Sequence, residues 1–209
     1  NDEQSIVDER VALGALQEQA LAKQDEVSGM VNEASLNVAD YQDQISKKEA
    51  ELLAYEQKAE ESENNIATLQ AKLKEENALT KQAMAAGFSD LSSITFASGD
   101  IDLLAAIIYC EAGNQPYIGQ VAVGNVVMNR VKSSVFPNTI LEVIYQNRQF
   151  SPVGSGRFAI ALANHKATQS CYAAAQDAMA GSAPVGNCLF FRTPIPGLTG
   201  IQIGGHIFY

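Results

Sequence analysis

The feature that most constrains the fold is a run of helix-forming residues that fills the first part of the chain. Residues 3–86 contain no proline, and residues 30–86 contain no glycine. Alanine, glutamate, glutamine, lysine and leucine dominate this run, and all five have high helix propensity. The run therefore predicts either one long helix or a helical hairpin that bends at Ser28-Gly29.

Apolar residues recur along this run at alternating spacings of three and four, a pattern that we call the heptad stripe. Sustained over many heptads, this spacing is typical of a coiled-coil seam. A single helix cannot bury such a stripe, so we expect it to pair with a second copy of the chain, with another helix or with another protein. The heptad stripe consists of Val27, Val31, Ala34, Val38, Tyr41, Ile45, Leu52, Tyr55, Ala59, Ile66, Leu69 and Leu73, and is interrupted by Lys48 and Ser62.

The distribution of charge divides the chain near residue 99. Residues 1–99 carry 19 acidic and 8 basic side chains, whereas residues 100–209 carry 5 acidic and 6 basic ones. The overall negative charge argues against nucleic acid as a partner, because phosphates require clustered lysine and arginine. The nearly neutral second half remains compatible with an anionic polymer such as a bacterial wall.

Glycine, serine and aspartate accumulate over residues 87–99, where the heptads stop. We therefore predict a coiled-coil region over 1–86, a linker over 87–100 and a compact folded domain over 101–209. Helices followed by a small antiparallel sheet would make the protein α+β.

Within the folded domain, apolar periodicity predicts helices over 101–112, 117–133, 140–146 and 167–180, with a polar loop over 147–158. The end of the chain favours two short strands around a Pro-Gly turn. Gly124 lies inside the second helix, where glycine costs about 1 kcal/mol relative to alanine, so we expect a close helix contact there. Asn129 and Arg130 end that helix, and we interpret both as structural.

Glu111 is the strongest candidate for chemistry. It ends an apolar helix and precedes a Gly-Asn-Gln-Pro turn. Burial there raises the pKa of a carboxyl group and keeps its proton available near neutral pH, as a general acid requires. Of the other carboxylates in the second half, we interpret Glu142 and Asp177 as solvated charges on helix faces. The five carboxylates of the second half are Asp100, Asp102, Glu111, Glu142 and Asp177.

Three separated blocks in the second half belong together: YCEAGNQPYIGQVAVGNVVMNRV, FPNTILEVIYQNRQFSP and GGHIFY. In order and spacing they resemble the cell-wall hydrolase family of spore cortex-lytic enzymes (the SleB/CwlJ type), over essentially residues 101–209. The resemblance implies a peptidoglycan-cleaving domain with a fold related to lysozymes and lytic transglycosylases. It also implies that the glutamate of the Tyr-x-Glu-Ala block, Glu111 in this chain, is the catalytic acid.

The same resemblance implies a set of substrate-binding residues. The Gln-Phe-Ser block would line the floor of the cleft, or else Phe150 anchors a loop. His206 either bonds substrate or holds the sheet against Glu111. Tyr117 is added for its residue type and position alone: it either stacks on a sugar ring or packs at the start of its helix. The predicted substrate-binding set is Tyr117, Gln149, Phe150, Ser151, His206 and Tyr209.

The chain departs from the family at one position. The family commonly has a second glutamate four residues after the catalytic one, where this chain has Gln115. Hydrolysing glycosidases usually need two carboxylates. A lytic transglycosylase needs only one, which protonates the glycosidic oxygen and then takes the proton of the sugar's 6-hydroxyl as a 1,6-anhydro ring closes. A domain with few carboxylates favours this route, cutting between N-acetylmuramic acid and N-acetylglucosamine; a hydrolytic muramidase or glucosaminidase is the alternative.

Two other classes of function stay open. One is a cysteine peptidase or amidase that pairs Cys110 with His165 or His206, although Cys110 falls near a helix C-terminus, where the dipole disfavours a thiolate. The other is a scaffold whose coiled coil binds a partner while the domain only holds glycan. The two histidines lie 41 residues apart with no ligand-spaced pair, so the sequence predicts no metal site and no cofactor.

We expect a protein secreted to a Gram-positive cell wall. The sequence begins at Asn1 instead of Met and has no basic-then-apolar signal region. We interpret it as a processed or trimmed chain, so a missing export signal is not evidence for the cytoplasm. Some division hydrolases carry a coiled coil that restrains the catalytic domain. By that analogy the helix is expected to form a homodimer or to dock to a membrane division complex. A bond between Cys171 and Cys188, worth about 3 kcal/mol, and two reduced thiols are equally compatible with the sequence.

Overall fold

The computed structural model describes residues 2–147 and 149–209. The chain begins with one helix, α1 (Asp2–Ala86), which passes through Ser28 and Gly29 without a break. The single-helix alternative is therefore confirmed, and the hairpin alternative is wrong. The reason is local: glycine costs a helix only about 1 kcal/mol, and strong helix formers flank the pair on both sides.

The chain divides into two compact units, Asn1–Leu69 and Gln70–Tyr209. In the first unit the heptad stripe faces solvent, and Ile45, for example, is 57% exposed. Contacts within the helix, such as the 2.7 Å ion pair between Lys47 and Asp43 one turn apart, are of the kind that contributes a few tenths of a kcal/mol each. No helix in the described ranges is both long enough and apolar enough to cross a membrane. Pairing of the stripe stays a prediction.

The second unit contains the remaining helices and the sheet, after a short 3-10 turn at Leu91–Ser93. Its sheet has the order β1-β3-β2, and both pairs of strands are antiparallel. The architecture is α+β, as predicted. The elements are α2 (Asp100–Ala112), α3 (Tyr117–Lys132), α4 (Ile140–Tyr145), α5 (Ser151–Gly154), α6 (Arg157–Ala163), α7 (Gln169–Met179), β1 (Phe191–Arg192), β2 (Ile201–Ile203) and β3 (His206–Phe208).

Two local predictions were wrong. The segment 147–158 is not all loop, because α5 and the start of α6 lie in it. Pro152 occupies the first turn of α5, where a missing N–H costs nothing, and Gly156 takes a left-handed conformation as the N-cap of α6. Residues that normally signal a loop therefore start helices here. The sheet also has three strands instead of two, because the segment after the Pro-Gly turn divides at Gly204, which has a φ of 57°, into β2 and β3.

The core of the second unit forms around α2, which packs against α3, α6 and α7. The predicted close contact at Gly124 is confirmed. A Cβ atom added there would lie 2.8 Å from the Cβ of Ala178 on α7 and 3.2 Å from Cδ1 of Ile108 on α2. Only glycine allows three helices to approach so closely at this point, and this packing fixes the orientation of α2.

The last turns of α1 take part in a second apolar cluster. Ala83 is fully buried there, together with Phe136, Leu189 and Phe190. About two turns earlier, Glu76 is only 6% exposed and accepts a 2.8 Å hydrogen bond from the Tyr209 hydroxyl. Residues 70–86 thus pack within the second unit. The division of the chain stays a proposal, with a coiled-coil region over 1–86, a linker over 87–100 and a domain over 101–209. Truncation can test it.

Candidate active site

Glu111 lies in the last turn of α2, partly buried. It follows Leu104, Ile107 and Ile108 at helical spacings of seven, four and three, so it extends their face of the helix. All three of these side chains are fully buried. The face that fills the core thus ends in a carboxyl group at the point where the helix gives way to a turn.

Burial raises the pKa of the Glu111 carboxyl, and the nearby Arg157 guanidinium opposes part of that rise. None of the described residues gives this carboxyl a hydrogen bond that would stabilise its charged form. A carboxylic acid in such surroundings keeps its proton closer to neutral pH, which is the property that a general acid needs.

The other four carboxylates of residues 100–209 all accept hydrogen bonds within the domain, which assigns them structural work. Glu142 and Asp177 are exposed, as predicted, but both are also bonded. The donors are the Ala97 amide to Asp100 at 2.7 Å, the Tyr172 hydroxyl to Asp102 at 2.9 Å, the Thr139 hydroxyl to Glu142 at 2.9 Å and the Tyr117 hydroxyl to Asp177 at 2.7 Å.

Gln115 attaches the turn between β2 and β3 through its side-chain amide. Its side-chain oxygen accepts a 2.8 Å hydrogen bond from the Gly205 amide, and a Cβ atom at Gly205 would lie 3.2 Å from the Gln115 amide nitrogen. A glutamate at this position could accept the same hydrogen bond but would add a negative charge. Gln115 therefore holds the hairpin without placing a negative charge four residues from Glu111.

His206 begins β3, directly after that turn. Its ring meets the Phe191 ring edge-on at 5.2 Å between centroids. Its Nδ1 atom is buried and has no hydrogen-bond partner among the described residues, and burial lowers the pKa of the imidazole. These contacts fit the alternative in which His206 holds the sheet.

The remaining predicted substrate-binding residues differ in accessibility. Phe150 is 3% exposed and packs against Phe191, which fits the alternative of a loop anchor. Tyr209 stacks on Phe190 at 6.0 Å, and burial together with its bond to Glu76 raises the pKa of its hydroxyl. Accessible side chains remain at Tyr117, which is 44% exposed, at Gln149 and at Ser151.

Arg130 is a buried structural cation, as interpreted from its position at the end of α3. Its guanidinium lies 5.3, 5.4 and 4.8 Å from the ring centroids of Phe136, Phe150 and Phe190. Its Nε donates a 2.7 Å hydrogen bond to the Leu189 carbonyl. Burial lowers the pKa of this group to about 10. The aromatic cage was not predicted, because its rings come from three separate segments of the chain.

An open cavity of about 680 Å³ lies beside the C-terminal end of α2. Arg157 reaches the end of that helix and donates a 2.8 Å hydrogen bond to the Cys110 carbonyl. Arg157 lies in the cavity wall and also acts electrostatically on Glu111, which is not itself in that wall. Sequence reasoning missed Arg157 and Lys166, since nothing local marks either one. The wall is formed by Tyr109, Cys110, Gly113, Asn114, Arg157, Ile160, Ala161 and Lys166.

Cys110 is a poor nucleophile in this setting. Burial raises the pKa of its thiol, and the neighbouring Glu111 charge raises it further, although Arg157 lowers it. Cysteine chemistry requires a thiolate. All three cysteines, Cys110, Cys171 and Cys188, are free, so the reduced alternative describes this structure.

Comparison with known proteins gives the family. Residues 114–209 match the cell wall hydrolase family. The spore cortex-lytic enzyme of Oceanobacillus iheyensis is 38% identical over 121 residues, which cover 54% of this chain and 42% of that protein. The spore cortex-lytic enzyme of Bacillus cereus is 37% identical over 99 residues, which cover 47% of this chain and 36% of that protein.

The crystal structure of the catalytic domain of the Bacillus cereus SleB protein is 34% identical, with a TM-score of 0.47, and the match covers 55% of this chain and 91% of that one. The chain spans about two fifths of the length of the curated relatives named above. The family match begins three residues after Glu111, so the role of that residue depends on the geometry described here. Over residues 114–209, this chain is thus identified with the cell wall hydrolase family.

Proposed function

We propose that this protein cleaves the glycan strands of peptidoglycan between N-acetylmuramic acid and N-acetylglucosamine, as a lytic transglycosylase with Glu111 as its one acid and base. Membership in a family of cell wall hydrolases and relatives named as spore cortex-lytic enzymes support the choice of polymer. The observation that carries the proposal is the contrast among carboxylates. Glu111 combines partial burial and a raised pKa with a carboxyl group left unbonded by the described residues.

In the first step, the protonated Glu111 carboxyl donates its proton to the glycosidic oxygen as the bond from that oxygen to C1 of the muramic acid breaks. Positive charge develops on C1, and the new carboxylate stabilises it. In the second step, the 6-hydroxyl oxygen of the same sugar bonds to C1, and its proton passes to the carboxylate. No water is consumed, and Glu111 ends in the protonated form in which it began.

Arg157 suits the middle of this cycle. Its positive charge opposes the rise in the pKa of Glu111. It therefore stabilises the carboxylate that exists between the two proton transfers. Without such a cation, a buried carboxyl would give up its proton less readily.

Hydrolysis is the alternative within the same polymer. It would require a second carboxylate, about 5 Å away for retention or further for inversion, to act as nucleophile or to activate water. Each of the other four carboxylates of the domain accepts a hydrogen bond from a neighbouring residue, and Gln115 supplies no charge. This favours the one-carboxylate route.

Analysis of the products tests the reaction type. Purified peptidoglycan is digested with the chain, and the released fragments are separated and weighed by mass spectrometry. The proposal predicts 1,6-anhydro ends, which are lighter than reducing ends by one water. Fragments with reducing ends alone would establish hydrolysis instead.

We further propose that the protein acts outside the cell at the wall and that the heptad stripe of α1 pairs with a second copy of the chain or with a membrane division complex. The exposed apolar side chains of the first unit support a helical partner, because burying them would stabilise the helix. Restraint of the catalytic domain by that pairing is part of the proposal. It predicts that removal of the first unit raises or preserves activity on purified wall.

A further inference from the structure

We infer that the open cavity beside the end of α2 binds a carboxylate group carried by the muramic acid residue, with Arg157 and Lys166 providing the positive charge. The inference rests on the proposed function for the choice of polymer. It adds a specificity site that would set the register of the glycan strand relative to Glu111.

The charge of the cavity wall is the first argument. Two of the six basic residues of 100–209 lie in this wall, and none of its residues is acidic. Both basic side chains are exposed. A concave surface with charges of one sign attracts a group of the opposite sign. The domain as a whole is nearly neutral, so this cavity is a local concentration of positive charge.

The second argument is that Arg157 is held in place. One of its terminal nitrogens donates to the Cys110 carbonyl at 2.8 Å, so the end of α2 orients the guanidinium. A guanidinium has five N–H donors in one plane. Those that Cys110 does not use remain for a carboxylate, which the planar group can bind with two parallel hydrogen bonds.

The way in which α6 ends places Lys166 in the cavity wall. The His165 and Lys166 amides donate to the Leu162 and Ala161 carbonyls at 3.2 and 2.9 Å, which closes the last turn of α6. His165 has a φ of 47°, a left-handed backbone conformation that residues other than glycine rarely adopt. The closed turn brings Lys166 back against Ala161, and both residues line the cavity.

The chemistry of the polymer supplies the ligand. Its two alternating sugars differ at one substituent, because only muramic acid carries a lactyl group. That group ends in a carboxylate or in a stem peptide that has carboxylates of its own. Arg157 belongs to the cavity wall and also acts electrostatically on Glu111. A carboxylate bound there would therefore place a muramic acid next to the acid that cleaves its glycosidic bond.

A binding measurement tests this inference independently of turnover. The full chain carrying Glu111→Gln is titrated with three soluble glycan preparations: strands with stem peptides, strands whose peptides an amidase has removed to leave lactyl carboxylates, and strands whose carboxyl groups have been amidated. Lys166→Met is then combined with Glu111→Gln in the same chain, and the three titrations are repeated. The matched control is Lys81→Met, which removes an exposed lysine outside the cavity.

We expect Lys166→Met to weaken binding of carboxylate-bearing strands by about twofold to fivefold, the size of one exposed ion pair. Lys81→Met and the amidated strands should show no such loss. An effect that persists after removal of the peptides assigns the site to the lactyl carboxylate. An effect seen only with stem peptides assigns it to the peptide. Equal losses on charged and amidated strands, or no loss on any of them, would overturn the inference.

Failure of this inference differs from failure of the proposed function. If Lys166→Met binds and cleaves like the unmodified chain while Glu111→Gln is inactive, the carboxylate site is wrong and the reaction stands. If the chain neither binds nor cleaves any of the strands, the proposed function itself is wrong.

Discussion

The two units of this protein are both largely helical, but they use apolar side chains in opposite ways. Ile45 in the first unit is 57% exposed, whereas Ile107 in the second is completely buried. The first helix is specified by the propensities of its own residues, and the second set of helices by the core that they share. The first unit therefore keeps an apolar face available for a partner. The second can hold a carboxyl group against a fixed core.

Truncation tests the boundary between the two units and should have the largest effect on stability. Removal of residues 1–69 should leave the second unit folded. Removal of 1–86 uncovers Phe136, Leu189 and Phe190, and it deletes the Glu76 acceptor of the Tyr209 hydroxyl. We expect this longer deletion to lower the free energy of unfolding by about 5 kcal/mol relative to the shorter one.

Denaturant unfolding followed by circular dichroism of the two truncated chains measures this difference. Activity on purified wall should survive the deletion of 1–69, which makes that chain the better test of restraint by the coiled coil. Equal stabilities for the two chains would contradict the packing of residues 70–86 within the second unit.

Replacing one isoleucine by alanine in each unit tests the difference in burial between them. Ile107→Ala should lower the free energy of unfolding of the second unit by about 3 kcal/mol, because it opens a cavity in the core. At concentrations where the chain is monomeric, Ile45→Ala should change the free energy of unfolding of the first unit by less than about 0.5 kcal/mol, because the side chain is already in contact with solvent. Thermal or urea unfolding of the two variants measures both effects, and similar losses would show that the stripe is buried within one chain.

The exposed stripe also predicts self-association. We expect sedimentation to give a mass near twice the 22.4 kDa of one chain at high concentration. Ile45→Glu should move the equilibrium towards monomer, by about 1–2 kcal/mol, because it places a charge in the apolar seam. Ser46→Glu, which adds the same charge at the next position, is the control. A chain that is monomeric at every concentration would exclude the homodimer and leave a partner protein as the occupant.

Arg157→Gln has a smaller effect, on the pH dependence of kcat. The Arg157 charge lowers the pKa of Glu111, so its removal raises that pKa further. The reaction requires protonated Glu111, and its alkaline limb should therefore move to higher pH. The pH profile of kcat for Arg157→Gln, compared with that of Lys81→Gln, measures the shift. An unmoved limb, or one displaced to lower pH, would contradict the assignment.

The sequence could predict α1, α3 and the position of Glu111 because each depends on local propensity or on helical spacing. It could not predict the cavity, because Arg157 lies 47 residues from the Cys110 carbonyl that orients it. The Glu76–Tyr209 bond joins residues 133 positions apart. Such pairs follow from how the helices pack, and no periodicity within one segment records them. The helices α5 and α6 were missed because the residues that start them are also loop residues.

The central claim is that Glu111 is the acid of a glycan-cleaving reaction, and one pair of variants tests it most directly. Glu111→Gln and Glu142→Gln are compared for their rate of release of fragments from purified peptidoglycan. Glu142 is exposed and bonded to Thr139, a contact that glutamine can keep. We expect Glu111→Gln to lose about 10²–10⁴ in rate with unchanged folding, and Glu142→Gln to keep its activity. Full activity of Glu111→Gln would contradict the account.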